Sequence, residues 1–132
     1  RALILVTKEA HCLQELIYLR ALGELDIEIP VIASNREDLR EMVEAQGIPF
    51  KYLPVSAGDS AAKAESETAL RKIIAEENIE LIVLARYMQI ISKEFCESYA
   101  GQIINIHDLF AFPLSIHNKY HILPIQKIKL FQ

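Results

Sequence analysis

Asn105 and His107 are residues whose types and spacing could do chemistry together. They stand two positions apart in the apolar run QIINIH (102–107), so both side chains leave the same face of a strand. An Asn amide can donate a hydrogen bond to an oxyanion, and a His side chain can act as acid, base or donor near neutral pH. The pair is therefore a candidate catalytic site. The ordinary alternative is a strand that turns into a loop, and the spacing alone favours that alternative.

The segment ARYMQIIS (85–92) is a candidate binding loop. It follows another apolar run and offers a cation, an aromatic ring and a flexible Met, which together suit a flat heteroaromatic ligand. The alternative is a surface loop whose Met88, Ile90 and Ile91 pack into the core. Spacing alone favours this alternative as well.

His11 and Cys12 begin a predicted helix and suggest a Cys–His nucleophile, because a thiol at a helix N-terminus can be acidified. Neighbouring helix positions point in different directions, so we predict instead that Cys12 lies in the core and His11 faces the site. The turn VTKEAHCL (6–13) contains no glycine to bring backbone N–H groups close to a phosphate. The lack of glycine argues against a binding site for NAD, FAD or ATP at this turn. The sequence shows no His or Cys cluster with metal-ligand spacing either.

Length and composition limit the class of protein. The 132 residues fit one domain, and 52% are hydrophobic, which suffices for a sizeable core. Residues 1–108 hold all 18 acidic residues, so a nucleic-acid partner is not expected. No apolar run approaches the ~20 residues of a membrane-spanning helix. Two distant cysteines predict reduced thiols in a cytoplasmic protein, and the opening at Arg1 without Met suggests a piece of a longer chain.

Short apolar runs alternate with helical patterns along the chain. This alternation predicts an α/β fold, a Rossmann-like parallel sheet with flanking helices and right-handed crossovers. Ligands of such sheets bind at the carboxyl ends of the strands, where both candidate segments lie. The predicted strands cover residues 2–6, 27–34, 50–53, 79–87 and 102–107.

Four helices are predicted between these strands. The second begins after a cap at Asn35, the third after Asp59 or Ser60, and the fourth after Ser92. The outer face of the third helix carries charged residues, Glu67 among them, and is interpreted as a solvated surface. The predicted inward face of the first helix consists of Leu13, Leu16, Ile17, Arg20 and Ala21.

Residues 109–132 are an atypical tail after a predicted domain of residues 1–108. The tail has no glycine, no acid and neither a helical stripe nor clean alternation, so no element is predicted in it. We expect the C-terminal strands of the sheet to be missing. The fifth strand would then expose an edge and apolar surface, and marginal stability or self-association would follow.

Several stretches, in order from residue 2 to residue 107, together resemble formyltetrahydrofolate deformylases. The resemblance implies a formyltransferase fold and the hydrolysis of 10-formyltetrahydrofolate, with no cofactor beside this folate substrate. It also implies a role in one-carbon metabolism and purine synthesis, and a homo-oligomer for the full-length family member. The stretches are VTKEAHCLQELIY, LDIEIPVIASNREDL, GIPFKYLPV, LIVLARYMQIIS and QIINIH.

The resemblance also implies roles for particular residues. Asn105 and His107 match two members of the family's Asn, His and Asp set, and would hold or protonate the oxyanion while the Asp activates a water. That Asp has no match here, because the last carboxylate is Asp108, whose side chain points away from that of its neighbour His107 on a strand. The loop that would lie against the pteridine contains Arg86, Tyr87, Met88, Gln89 and Ile90.

Two alternative functions remain open. Phosphoribosylglycinamide formyltransferases resemble the chain in the folate loop and in Asn-x-His, but carry a glycine- and serine-rich turn for the phosphate of their substrate, which this chain lacks. A non-catalytic folate-binding remnant would explain the missing Asp. We hypothesise that a reading-frame shift near residue 108 altered the C-terminus. Coding DNA in which no other frame restores the family's residues would disprove this.

Overall fold

A computed structural model of the protein describes residues 1–55, 59–89 and 91–106, together with the backbone of residues 120–122. Strands and helices alternate as the sequence predicts, and the alternation is confirmed for the described residues. In chain order the elements are β1 (Ala2–Val6), α1 (His11–Ala21), β2 (Val31–Ser34), α2 (Arg40–Ala45), β3 (Phe50–Tyr52), α3 (Ser60–Glu76), β4 (Leu81–Ala85), α4 (Lys93–Ser98), β5 (Ile103–Ile106) and β6 (Tyr120–Ile122).

The strands form one sheet in the order β3-β2-β1-β4-β5-β6. Strands β1 to β5 are parallel to one another, which confirms the predicted Rossmann-like sheet with flanking helices. Strands β2 and β3 extend the sheet on one side of β1. The chain then crosses to the other side of β1, where β4 and β5 extend the sheet. The carboxyl ends of β1 and β4 therefore flank a topological switch point, the position where open α/β sheets bind ligands.

Strand β6 corrects the expectation that no element follows residue 108. It runs antiparallel to β5 and pairs Ile104 with Ile122 and Ile106 with Tyr120. An edge strand presents unpaired N–H and C=O groups, and a short strand from the tail can satisfy them without any hydrophobic pattern of its own. The predicted open edge of β5 is thus covered over these residues. The proposed boundary at residue 108 stays a prediction, because residues 107–119 lie outside the described residues.

The core lies on both faces of the sheet, because the residues of β1 alternate between two buried clusters. Leu3 and Leu5 face a cluster that α3 and α4 complete, whereas Ile4 and Val6 face a cluster that α1 and α2 complete. All five residues of β1 are buried, as expected for a parallel strand covered by helices on both sides. Such a strand is held on both faces and can position a loop at its carboxyl end.

Two helix predictions are corrected by the packing. Helix α1 buries Cys12, Leu13, Leu16 and Leu19, so its inward face is rotated away from the predicted Arg20 and Ala21. Apolar residues occur on more than one side of this helix, and the sequence does not say which side meets the sheet. Helix α2 begins at Arg40 rather than after Asn35. The predicted caps of α3 and α4 are confirmed.

No helix in the described part of the chain is long and apolar enough to cross a membrane.

Candidate active site

Asn105 lies in β5, one residue before its carboxyl end. Its neighbour across the sheet is Leu84 of β4, and its side chain shares a face with Ile103, on the α3 and α4 side of the sheet. Asn105 is partly buried, whereas Ile103 and Ile106 at the two ends of the strand are buried. The structure therefore places Asn105 at the edge where ligands of parallel sheets bind. His107, the other predicted catalytic residue, lies outside the described residues.

Thr7 connects the ends of the two strands at the switch point. It follows β1 directly and is only 5% exposed. Its hydroxyl accepts a hydrogen bond from the backbone N–H of Met88 at 2.9 Å and donates one to Oδ1 of Asn35 at 2.7 Å. The Oγ of Ser34 donates to the carbonyl oxygen of Thr7 at 3.2 Å. The carboxyl ends of β1, β2 and β4 are thus joined through this one residue.

The β4–α4 loop (residues 86–92) is the predicted binding loop, and it leaves β4 in an unusual conformation. Arg86 has a φ of 62°, in the left-handed region that residues other than glycine adopt only when their surroundings hold them there. Arg86 is exposed, and Met88 is 60% exposed. Ile91 is buried, as the alternative interpretation of this segment predicts, and Ile90 lies outside the described residues. Gln89 is partly buried.

Tyr87 points away from the solvent-facing part of the loop and packs against α3. Burial raises the pKa of its phenol to about 12, the nearby Glu67 carboxylate adds to the rise, and a side-chain hydrogen bond with Ser66 acts against it. The cavity beside the ring, which Leu70 and Phe95 also line, holds about 10 Å³. That is about the space of one water molecule. A heteroaromatic ring does not fit there, so Tyr87 supports the loop from behind.

Glu67 corrects the interpretation of the outer face of α3 as a solvated surface. Its carboxylate accepts hydrogen bonds from the backbone N–H of Ser92 at 2.8 Å and from the Ser92 hydroxyl at 2.6 Å. The same hydroxyl accepts from the backbone N–H of Phe95 at 3.1 Å and so caps α4. The far end of the β4–α4 loop is therefore fastened to α3. Sequence reasoning missed this because Glu67 is one of several charged residues on that helix.

The two cysteines lie on opposite faces of the sheet. Cys12 belongs to the cluster beneath α1 and α2, and Cys96 to the cluster beneath α3 and α4. Both are buried, which confirms the predicted core position of Cys12, and the reduced state of the two thiols stays a prediction. His11 is exposed at the start of α1. Within the described ranges, no group of three or more His, Cys, Asp or Glu residues could hold a metal ion.

Comparison with known proteins settles the family. Residues 1–111 match the family model for formyl transferases. The chain belongs to the formyl transferase family. Within this family it is 40% identical over 121 residues to a formyltetrahydrofolate deformylase of Corynebacterium sp. (strain P-1), which covers 92% of this chain and 41% of that protein. The chain thus spans about two fifths of the length of this curated relative.

Solved structures of formyl transferase family members share the fold. The formyltetrahydrofolate deformylase from Burkholderia mallei superposes with a TM-score of 0.75 and 37% identity, over 80% of this chain and 37% of that chain. The phosphoribosylglycinamide formyltransferase from Coxiella burnetii superposes with a TM-score of 0.72 and 29% identity, over 89% of this chain and 56% of that chain. The resemblance seen in the sequence is confirmed, and the deformylases are the more similar of these two groups.

Proposed function

We propose that this chain forms part of a formyltetrahydrofolate deformylase, which hydrolyses 10-formyltetrahydrofolate to formate and tetrahydrofolate. The observation that carries the proposal is the turn of residues 7–10 at the switch point. It contains no glycine, and the hydroxyl of Thr7 is already engaged by Met88 and Asn35. A phosphorylated acceptor would find no cradle of backbone donors here, so water is the acceptor. The 40% identity to a deformylase supports the same conclusion.

The substrate would lie across the carboxyl edge of β1, β4 and β5. We assign the pteridine end to the β4–α4 loop, with the exposed Arg86 and Met88 and the main chain of Gln89 as the groups that meet it. The resemblance adds Ile90 to this set, and Ile90 lies outside the described residues. Tyr87 would support this surface from the side of α3. The formyl group would then lie toward β5 and Asn105. No cofactor takes part in this proposal, and the folate is a small-molecule substrate.

The proposed reaction is acyl transfer to water. The water oxygen bonds to the formyl carbon, its proton passes to a base, and the former carbonyl oxygen becomes an oxyanion. The amide N–H of Asn105 donates to this oxyanion, and His107 donates a second hydrogen bond or a proton. The oxyanion then re-forms the carbonyl of formate, the C–N10 bond breaks, and N10 leaves with the proton that the base took from the water. The family resemblance implies an Asp as the base, and no described residue is assigned to that role.

The test is the release of formate from 10-formyltetrahydrofolate by the purified chain and by its Asn105→Ala and His107→Ala variants. Removing an oxyanion donor should lower kcat by about 10²–10³-fold. Tetrahydrofolate should still bind to both variants, because neither residue belongs to the pteridine loop. A Tyr18→Phe variant, changed at an exposed position of α1, is the control and should retain full activity.

Other outcomes would support the alternatives. Formyl transfer to phosphoribosylglycinamide at a higher rate than to water would favour the transferase, to which the Coxiella burnetii structure points at 29% identity. Tetrahydrofolate binding without any turnover would favour a non-catalytic folate-binding protein. Absence of both turnover and binding would reject the proposal for this chain.

The cellular setting belongs to the same proposal. Two buried thiols on opposite faces of the sheet are compatible with the reducing cytoplasm, where we place the protein. We further propose self-association into a homo-oligomer, by analogy with full-length family members. Analytical ultracentrifugation tests this directly, and a monodisperse monomer across a wide concentration range would count against it.

A further inference from the structure

We propose that Thr7 and Glu67 are positioning residues that hold the β4–α4 loop in its ligand-binding conformation before any ligand arrives. One anchor acts near the beginning of the loop, at Met88, and the other at its end, at Ser92. The proposal rests on the proposed function only for the identity of the ligand, a reduced folate. That the loop is anchored is a separate claim that can be tested without ligand.

The first anchor is unusually well defined. A hydroxyl has one proton and two lone pairs, and the proton of Thr7 is directed to Asn35 at 2.7 Å. A lone pair is therefore left facing the Met88 N–H at 2.9 Å. Because Thr7 is buried at the end of the central strand β1, its hydroxyl cannot move to follow a mobile loop. The strand thus sets the position of the Met88 backbone.

The conformation of Arg86 explains why such an anchor is needed. A φ of 62° is disfavoured for a residue with a Cβ atom, so the chain would relax to another conformation unless neighbouring contacts prevented it. The Thr7–Met88 hydrogen bond lies two residues further along. On the other side, the Tyr87 ring is packed against α3. Together these contacts hold the turn by which the loop leaves β4.

The second anchor is a charge-assisted pair of hydrogen bonds. Both carboxylate oxygens of Glu67 are used, one by the N–H and the other by the hydroxyl of Ser92. The Ser92 hydroxyl in turn caps α4 through Phe95 N–H. A change at Glu67 would therefore affect the end of the loop and the start of α4 together. The two anchors come from different parts of the fold, the residue that follows β1 and helix α3, so each can be removed separately.

Hydrogen exchange of single amides tests the anchors in the full chain without ligand. In Thr7→Val, which keeps the shape of the side chain but removes the hydroxyl, Met88 N–H should exchange about tenfold faster. Thr7→Ser should restore slow exchange, because it restores the hydroxyl. The matched control is Thr68→Val, since the Thr68 hydroxyl donates to the carbonyl oxygen of Ala64 within its own helix. In Thr68→Val the exchange rate of the Met88 N–H should be the same as in the unaltered chain.

The second anchor is tested in the same way. In Glu67→Gln one acceptor oxygen is replaced by an NH₂ group, so the side chain can no longer accept from both the N–H and the hydroxyl of Ser92, and the remaining bond loses its charge assistance. Ser92 N–H should therefore exchange about tenfold faster. Glu65→Gln, an exposed change on the same helix, is the control and should leave Ser92 unaffected. Far-UV circular dichroism on every variant separates a loosened loop from general unfolding.

Titration with tetrahydrofolate then tests the link to the ligand. Ordering a loop during binding lowers the affinity. The Thr7→Val and Glu67→Gln variants should therefore bind tetrahydrofolate about tenfold more weakly than the unaltered chain, whereas the Thr7→Ser variant should bind it with unchanged affinity. Unchanged amide exchange in both variants overturns the proposal. So does faster exchange with unchanged affinity. If the unaltered chain binds no tetrahydrofolate, the proposed function fails, and the exchange data still decide whether the anchors hold the loop.

Discussion

The phenol of Tyr87 should make the stability of this protein depend on alkaline pH. Its pKa is raised from 10.0 to about 12, first of all because burial against α3 disfavours the charged phenolate. Below pH 10 the phenol is neutral in both the folded and the unfolded chain. Between pH 10 and 12 the unfolded chain loses this proton first, so the free energy of unfolding falls as the pH rises.

The size of the effect follows from the shift. One pKa unit corresponds to about 1.36 kcal/mol, so a shift of about two units contributes roughly 3 kcal/mol, lost across the window from pH 10 to 12. The ring is partly buried rather than fully enclosed, which makes this an upper value. By pH 11, the part attributable to Tyr87 should have fallen by about 1.4 kcal/mol relative to pH 9.

The perturbation is Tyr87→Phe, which keeps the ring and removes the titrating group. The free energy of unfolding of both proteins would be measured by urea denaturation, followed by far-UV circular dichroism, from pH 9 to pH 11. The stability advantage of the unaltered chain over Tyr87→Phe should shrink over this range. Tyr18→Phe removes an exposed phenol and controls for the loss of one tyrosine hydroxyl. If the free energy of unfolding changed with pH equally in the unaltered chain and in Tyr87→Phe, the packing of this ring against α3 would be refuted.

Two further changes test the packing and the capping that support the site. Asp59→Ala removes the side chain that accepts from Ala62 N–H at the start of α3, and should lower the free energy of unfolding by about 1 kcal/mol in urea denaturation, whereas Asp59→Asn should lose less. Phe95→Ala should lower the free energy of unfolding by about 3–5 kcal/mol, because this ring is fully buried between α4 and the sheet. A decrease below ~1 kcal/mol would mean that neighbouring side chains fill the space that the ring leaves.

The extent to which the site could be predicted differs from residue to residue. Asn105 could be placed at the carboxyl end of its strand from the apolar run alone, and the caps at Asp59 and Ser92 from residue type and position. Thr7 could have been found as well, since it is the first polar residue after β1. Nothing in the sequence distinguishes Glu67 from the other charged residues of α3. Its role depends on Ser92, which lies 25 positions away.

The sequence by itself determined the order of elements from β1 to β5, their parallel sheet and the family. These properties follow from local signals: apolar runs, helical spacing, caps and contiguous motifs, all of which act between neighbours in the chain. Only the tertiary structure decided which face of α1 is buried, where Tyr87 points and that β6 pairs with β5.

The physical reason is that these features depend on partners distant in sequence. Thr7 and Met88 are 81 positions apart, and only the crossover between β1 and β4 brings the hydroxyl and the amide together. The tail strand β6 has only three residues, too few for an alternating pattern to identify it, and backbone pairing with an open edge requires no such pattern. The sequence therefore placed the candidate site at one edge of the sheet, and the packing of distant elements decided how its loop is held.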